Sequence, residues 1–274
     1  MQKQIIDDKQ DLTWLSWSKI RNSSGTAGSF LKAYSDLDGV KTYYKLSNYD
    51  SVKGIVGHEC VNEIIVDRLL TILGIEHLPY QLIHADIRID DQPYTTWLCA
   101  SRDFKQRGDS KLALDAFYQA ERLAGEGPLE FCIRNGWKEY IWQMLAVDFL
   151  ILNRDRHGAN IEVLRNSKKK TVRLAPLFDH GLSLIFNCQD TSAVRAVQVL
   201  EDKPVQCFVG SRSSWENLKL IPIDQIPTLQ PLQEKDREIL FAGLEDAIGS
   251  VWLDKIWEML WGRWLEYENL CSQR

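Results

Sequence analysis

Near residue 100 the periodicity of the sequence changes, and that change restricts the chain to folds in which strands and helices are segregated. Before it, short segments of strand character predict strands at Trp14–Ile20, Ser29–Tyr34, Lys41–Leu46, Gln81–Ile89 and Tyr94–Cys99. The turns Asp36-Leu37-Asp38-Gly39 and Asp90-Asp91-Gln92-Pro93 close two hairpins among them. One helix interrupts the strands. From Glu59 to Leu73 the apolar residues Cys60, Val61, Ile64, Ile65, Leu69, Ile72 and Leu73 recur at helical spacing, and Gly74 is placed to cap them. After residue 100 the pattern predicts helices at Lys111–Leu123, Trp137–Leu152 and within Gln233–Leu270, with a break at Gly125-Glu126-Gly127-Pro128. The stripe Trp257, Trp261, Trp264 reads as core of this second part. The expectation is an α+β, bilobal chain, with a sheet-rich N-lobe over residues 1–100 and a mainly helical C-lobe over residues 101–274.

Composition narrows the function classes. With 45% hydrophobic and 26% charged residues the chain has material for a substantial core, which excludes a disordered or fibrous protein. A net charge of -5 lacks the electrostatic footprint of a nucleic-acid binder, so no direct nucleic-acid partner is expected. The six cysteines lie far apart with no C-x-x-C pair and read as reduced thiols. The first eight residues carry no apolar stretch of signal-peptide character, and no run of about 18 apolar residues suggests a membrane span. A cytoplasmic location is expected.

The chemistry concentrates after the apolar segment Trp137–Leu152. Asp155 and Asn160 stand in the D-x-x-x-x-N spacing of a kinase catalytic loop, where the Asp accepts a hydroxyl proton and the Asn binds Mg²⁺. Asp179-His180-Gly181 resembles D-F-G, whose Asp holds the metal as well. Between them, Ile161–Leu164 and Val172–Leu174 predict a hairpin across the turn Asn166–Lys170, which would return Asp179 to Asp155 and Asn160. Oxygen donors of this kind suit Mg²⁺, which is held by few protein ligands together with substrate phosphates.

The first lobe supplies matching parts in matching order. Ser23-Ser24-Gly25-Thr26-Ala27-Gly28-Ser29 lets backbone amides approach phosphates, although no Walker motif is present. Lys45 on the third strand is the candidate for the ATP phosphates, with Glu63 on the helix to hold it and Glu59, one turn earlier, as the alternative. Trp97-Leu98-Cys99, within the segment Trp97–Arg102, is the candidate hinge that offers backbone groups to adenine.

Taken singly, each part has a plainer reading: a hairpin loop, a solvated lysine, a glutamate on a polar helix face, a loop-bracing His157. A metal hydrolase built on Asp155, His157, Asp179 and His180 is disfavoured, because His58, His77 and His84 are not spaced as a second ligand pair. The order of all parts together favours an ATP-dependent phosphotransferase.

The stretches L-I-L-N-R-D-R-H-G-A-N-I (Leu150–Ile161) and L-A-P-L-F-D-H-G-L-S-L (Leu174–Leu184), with Asn62-Glu63 and L-L-T-I-L-G-I (Leu69–Ile75), resemble the HipA-like kinase family over about residues 15–190. The resemblance implies a protein-kinase-like fold related to the phosphatidylinositol 3-kinases and serine/threonine protein kinase activity. It also implies that Asp155 is the catalytic base, that Asn160 and Asp179 are Mg²⁺ ligands, and that Lys45 is the ATP lysine. Family members autophosphorylate the glycine-rich loop, which here carries the hydroxyls Ser23, Ser24, Thr26 and Ser29. The length fits compact, CtkA-type members rather than toxin-type ones with an extra N-terminal subdomain, so antitoxin pairing and DNA association are not carried over. No A-P-E follows Asp179, so eukaryotic activation-segment anchoring is not implied. The expected partners are ATP, Mg²⁺ and a protein with a Ser/Thr hydroxyl. The alternatives are a small-molecule or lipid-headgroup kinase and a nucleotide-binding pseudokinase that serves as an interaction module.

Overall fold

The computed structural model describes residues 3–17, 30–37 and 39–273. Its N-terminal part is a five-stranded sheet. The strands are β1 (Ile5–Asp11), β2 (Lys32–Leu37) and β3 (Val40–Leu46), followed after the small ribbon β4 (Tyr49–Asp50) and β5 (Gly54–Ile55) and the helix α1 (Glu59–Leu73) by β6 (Gln81–Ile89) and β7 (Gln92–Arg102). The spatial order is β1-β6-β7-β3-β2, with β1 parallel to β6 and the other pairs antiparallel. Alternation divides the side chains between two cores: Leu46, Ile83, Ala85, Leu98 and Ala100 fill one face, while Leu82 and Cys99 meet α1 on the other. Lys45 lies between Tyr44 and Leu46 and therefore projects to the α1 face.

The helix prediction matches α1 to the residue, because Gly74 takes the left-handed conformation (φ 74°) that ends it. The β6–β7 turn is tighter than expected. Asp90 and Asp91 supply the two positive φ angles (50° and 65°) of a two-residue hairpin, and Gln92 and Pro93 are already paired.

Three segments differ from expectation. The strand expected at Ser29–Tyr34 begins only at Lys32 and runs on to Leu37, so Asp36 and Leu37 of the expected turn pair with Lys41 and Val40. The predicted strand Trp14–Ile20 is turn and irregular chain over residues 14–17, and residues 18–20 lie outside the described residues. The edge strand is instead Ile5–Asp11, whose charged sequence suits an exposed sheet edge and carries little alternation. Asp11 ends it by accepting from the Thr13 N–H at 3.0 Å. The predicted helix Lys111–Leu123 begins only at Leu114. Residues Asp109–Ala113 form β8, because the distant strand Glu162–Asn166 pairs with them and overrides local helix propensity.

Beyond α2 (Leu114–Glu121), α3 (Pro128–Arg134) starts with proline at its first position, where no amide partner is lost. The helix α4 (Lys138–Leu150) is buried on nearly every face and leads into β9 (Asp155–Arg156). The hairpin β10 (Glu162–Asn166) and β11 (Thr171–Leu174) follows, completing a β11-β10-β8 sheet. The remainder holds α5 (Thr191–Ala196), β12 (Gln206–Cys207, paired with β9), α6 (Ser214–Leu218), α7 (Asp236–Phe241) and α8 (Ser250–Cys271). Trp264 is buried in α8, and Trp257 and Trp261 stack on each other (5.5 Å, 21°) against the core. The chain is thus an α+β fold, with a sheet-rich N-terminal part and a mainly helical C-terminal part. Among the described residues no helix is long and apolar enough to cross a membrane.

Candidate active site

The α1 face of the sheet places Lys45 against two carboxylates. Its Nζ lies 3.0 Å from Glu63 Oε1 and also contacts Asp179 Oδ1. Glu63 is fully buried, and its second oxygen accepts the His180 N–H at 2.8 Å. Burial opposes the charge on Lys45, but Asp179 and Glu63 outweigh it and hold the ammonium pKa well above its usual value. Burial likewise works upward on Asp179, and Lys45 overcomes it, so this carboxyl stays well below the usual range. The Glu63 carboxyl is pushed up by burial against the pull of Lys45. Glu59 is engaged elsewhere: its Oε2 accepts the Asn48 N–H at 3.1 Å. Of the two glutamates considered from sequence, Glu63 is the one that meets Lys45.

The opposing loop is built from the end of α4. Leu152 adopts a left-handed backbone (φ 49°), held while the Asn153 N–H donates to the Asp148 carbonyl (2.9 Å) and the Leu184 N–H to that of Ile151 (2.7 Å). Asn153 then orients Asp155 by accepting its N–H at 3.1 Å. Asn160 donates through Nδ2 to the Asp155 carbonyl (2.7 Å) and to Asp155 Oδ2 (3.3 Å), which leaves its Oδ1 as the free end of the amide. The Ala159 N–H donates to His157 Nδ1 (3.1 Å), so the ring carries its proton on Nε2, which faces Asp155 Oδ1 at 3.5 Å. Burial, with repulsion from Asp179 added and His157 opposing, raises the Asp155 carboxyl above its ordinary value. Its Oδ1 is buried without a hydrogen-bond partner, so it keeps acceptor capacity for a proton.

The β10–β11 hairpin returns the chain as expected, with Val163 opposite Leu174. The Leu78 N–H then captures the Leu177 carbonyl (2.8 Å), two residues before Asp179, whose own backbone is left-handed (φ 60°). Gly181 lies flat against α1: a Cβ there would stand 3.1 Å from the Glu59 Cβ and 3.3 Å from Glu63 Oε1. Asn62 Nδ2 fixes this segment by donating to the Gly181 and Ser183 carbonyls (3.0 and 3.1 Å).

Sequence reasoning missed the pair that ties these pieces together. Arg156, 1% exposed, donates through Nε and Nη2 to Asp148 and through Nη1 to the Phe178 carbonyl (3.0 Å). One salt bridge thereby joins α4, the Asp155 loop and the residue before Asp179. A signal was present: Asp148 is a lone acid deep in an apolar helix, and such a group needs a partner.

Two sequence candidates remain. Ser24, Gly25, Thr26, Ala27 and Gly28, with Ser23 and Ser29, lie outside the described residues. Trp97, Leu98 and Cys99 are not a hinge. They occupy the middle of β7, paired with β6, and Leu98 and Cys99 also pair with β3, so their backbone groups serve the sheet rather than a ligand. The connection out of the sheet starts after Arg102, where Phe104 packs on Phe178 (5.7 Å). A cavity of about 940 Å³ lies beside this connection, lined by Ser35, Thr42 and Phe104 and also by Asp67, His77 and Tyr80, and its lining includes none of Glu63, Asp155 and Asp179.

Among the described residues no three His, Cys, Asp or Glu side chains form a metal cage. The donor set is smaller, Asp179 with the free Oδ1 of Asn160, and hard oxygen donors in this number fit Mg²⁺ that keeps water and phosphate ligands.

No family model and no curated protein matches this chain. Among solved structures, the proinflammatory kinase CtkA of Helicobacter pylori is similar over 97% of this chain and 98% of its own, with a TM-score of 0.61 at 14% identity. The HipA–HipB–operator DNA complex of the Shewanella oneidensis MR-1 toxin–antitoxin system aligns over 92% of this chain and 60% of that chain at 15% identity, with a TM-score of 0.40. The first likeness shows that the whole chain has the fold of a kinase.

Proposed function

We propose that this chain is an ATP-dependent serine/threonine protein kinase, with residues 1–100 and 101–274 as its two lobes. The observation that carries the reading is the meeting of Lys45, Glu63 and Asp179 in one buried charge cluster, close enough to Asp155 for Asp179 to raise its carboxyl. A lysine held between two acids is charged and fixed in direction, which suits it to bind phosphate oxygens. A carboxyl with a raised pKa and an unpartnered oxygen suits proton acceptance.

In the proposed reaction the acceptor hydroxyl oxygen attacks the γ-phosphorus, and the bond from that phosphorus to the β–γ bridging oxygen breaks. Asp155 takes the hydroxyl proton on its carboxylate, which His157 and Asn160 hold in direction. Lys45 orients the phosphates, and Glu63 keeps the lysine from swinging away. Asp179 and Asn160 would hold Mg²⁺, which supplies charge neutralisation at the phosphates when bound. The loop hydroxyls Ser23, Ser24, Thr26 and Ser29 are proposed sites of autophosphorylation, where the added charge of about -1.5 to -2 would repel the triphosphate and lower activity.

The test is incubation of the purified chain with labelled ATP, Mg²⁺ and a generic protein substrate, with Asp155→Asn as control. Label on protein serine or threonine supports the proposal. Label on small molecules or lipid headgroups alone makes it a kinase of another class, and nucleotide binding without turnover makes it a pseudokinase. Mass spectrometry of the loop after the same incubation decides autophosphorylation.

A further inference from the structure

A second acid on α1 also works on the Asp179 segment. Asp67 follows Glu63 by one helical turn, so both carboxylates leave the same face. Asp67 is buried and accepts the Tyr80 N–H at 2.5 Å and Gln4 Nε2 at 3.1 Å. Its Oδ1 lies 3.5 Å from His77 Nε2. This fixes the backbone of Tyr80, whose buried ring reaches Asp179: the Asp179 N–H donates to the Tyr80 hydroxyl at 3.3 Å. Asp179 is in the left-handed region (φ 60°), a conformation that non-glycine residues seldom adopt without support. Its neighbours are held by other groups, Leu177 by the Leu78 N–H and His180 by Glu63. The Tyr80 hydroxyl acts on the strained residue itself.

We propose that Tyr80, set in register by Asp67, is a positioning residue that holds the Asp179 backbone in the conformation that turns its carboxylate toward Lys45. The metal-related part of this inference rests on the reading of Asp179 as a Mg²⁺ ligand; the conformational part does not. Sequence gives no hint of the link, since 99 positions separate the two residues.

Tyr80→Phe removes the hydroxyl and keeps the ring. Amide hydrogen exchange of the ¹⁵N-labelled protein is the direct measurement. The Asp179 amide should be protected in the wild type and exchange about tenfold faster in Tyr80→Phe, as expected when a buried donor loses its acceptor. The amides of Leu78 and His180 should stay within about twofold, because their acceptors are untouched. In parallel, the Mg²⁺ concentration that half-saturates binding of a fluorescent ATP analogue should rise about fivefold, with analogue binding in EDTA unchanged. An unprotected Asp179 amide in the wild type overturns the proposal without any variant. Equal acceleration at all three amides also overturns it, since that is general loosening. If the wild type binds no nucleotide at any Mg²⁺ concentration, the kinase reading fails, while the exchange data still decide whether Tyr80 holds Asp179.

Discussion

Asp148→Asn should destabilise the protein far more than an ordinary surface change. Asp148 accepts Arg156 Nε and Nη2 at 2.9 Å each and Asn153 Nδ2 at 2.8 Å. The guanidinium is 1% exposed, and its other acceptors, the carbonyls of Phe178 and Asn160, carry no net charge. Asparagine preserves shape and part of the hydrogen bonding but leaves a buried cation uncompensated. Breaking such a pair from one side costs about 3–5 kcal/mol, a large share of the roughly 5–15 kcal/mol that holds a domain folded. At about 2–4 °C per kcal/mol for chains near this size, the melting temperature should fall by about 6–20 °C. Urea unfolding followed by circular dichroism measures the loss, and the double variant Asp148→Leu, Arg156→Met should recover most of it, since an apolar pair needs no solvation. A loss below about 1 kcal/mol would refute the claim that this pair closes the loop.

The remaining expectations concern the charge cluster, the Gly181 contact and pH. Lys45→Met should abolish phosphoryl transfer with the fold intact, and Asp155→Asn should lower transfer by roughly 10² to 10⁴ while ATP still binds; single-turnover assays with calorimetry check both. Glu63→Gln should reduce turnover more than Glu59→Gln, because only Glu63 touches Lys45; matched kinetics decide. Gly181→Ala should weaken both stability and nucleotide binding, since its Cβ would press on Glu59 and the Glu63 carboxylate; thermal melts and titrations test it. Burial lowers the His58 pKa from 6.5 to about 4, so the unfolded chain takes up that proton first as pH falls. Stability should therefore drop by about 3 kcal/mol between pH 6.5 and 4, and His58→Gln should remove that component in urea titrations at each pH.

What the sequence made legible was local or ordered along the chain, and what it hid was held by distant partners. The helix Glu59–Leu73 was readable because its amphipathic face and the left-handed Gly74 lie within its own residues. β8 was not, since Lys111 and Leu112 are strand only because Leu164 and Val163 pair with them. The edge strand Ile5–Asp11 was hidden for another reason: with β6 as its strand neighbour among the described residues and mostly solvent-facing side chains, it has little alternation to read. The order Lys45, Glu63, Asp155, Asn160, Asp179 was visible, yet the groups that aim them were not. Asp148 with Arg156, and Asp67 with Tyr80, meet only in the fold: the apolar run around Asp148 signals a buried acid but does not name its partner. The hinge assignment failed on the same ground. Trp97–Cys99 has the composition of any strand, and only its pairing with β6 and β3 reveals that the sheet runs on to Arg102. In the proposed kinase the acids and the lysine would set the chemistry, while a few buried polar residues from distant positions would set its geometry. The strongest tests are therefore substitutions such as Tyr80→Phe and Asp148→Asn, which alter the second set and leave the first in place.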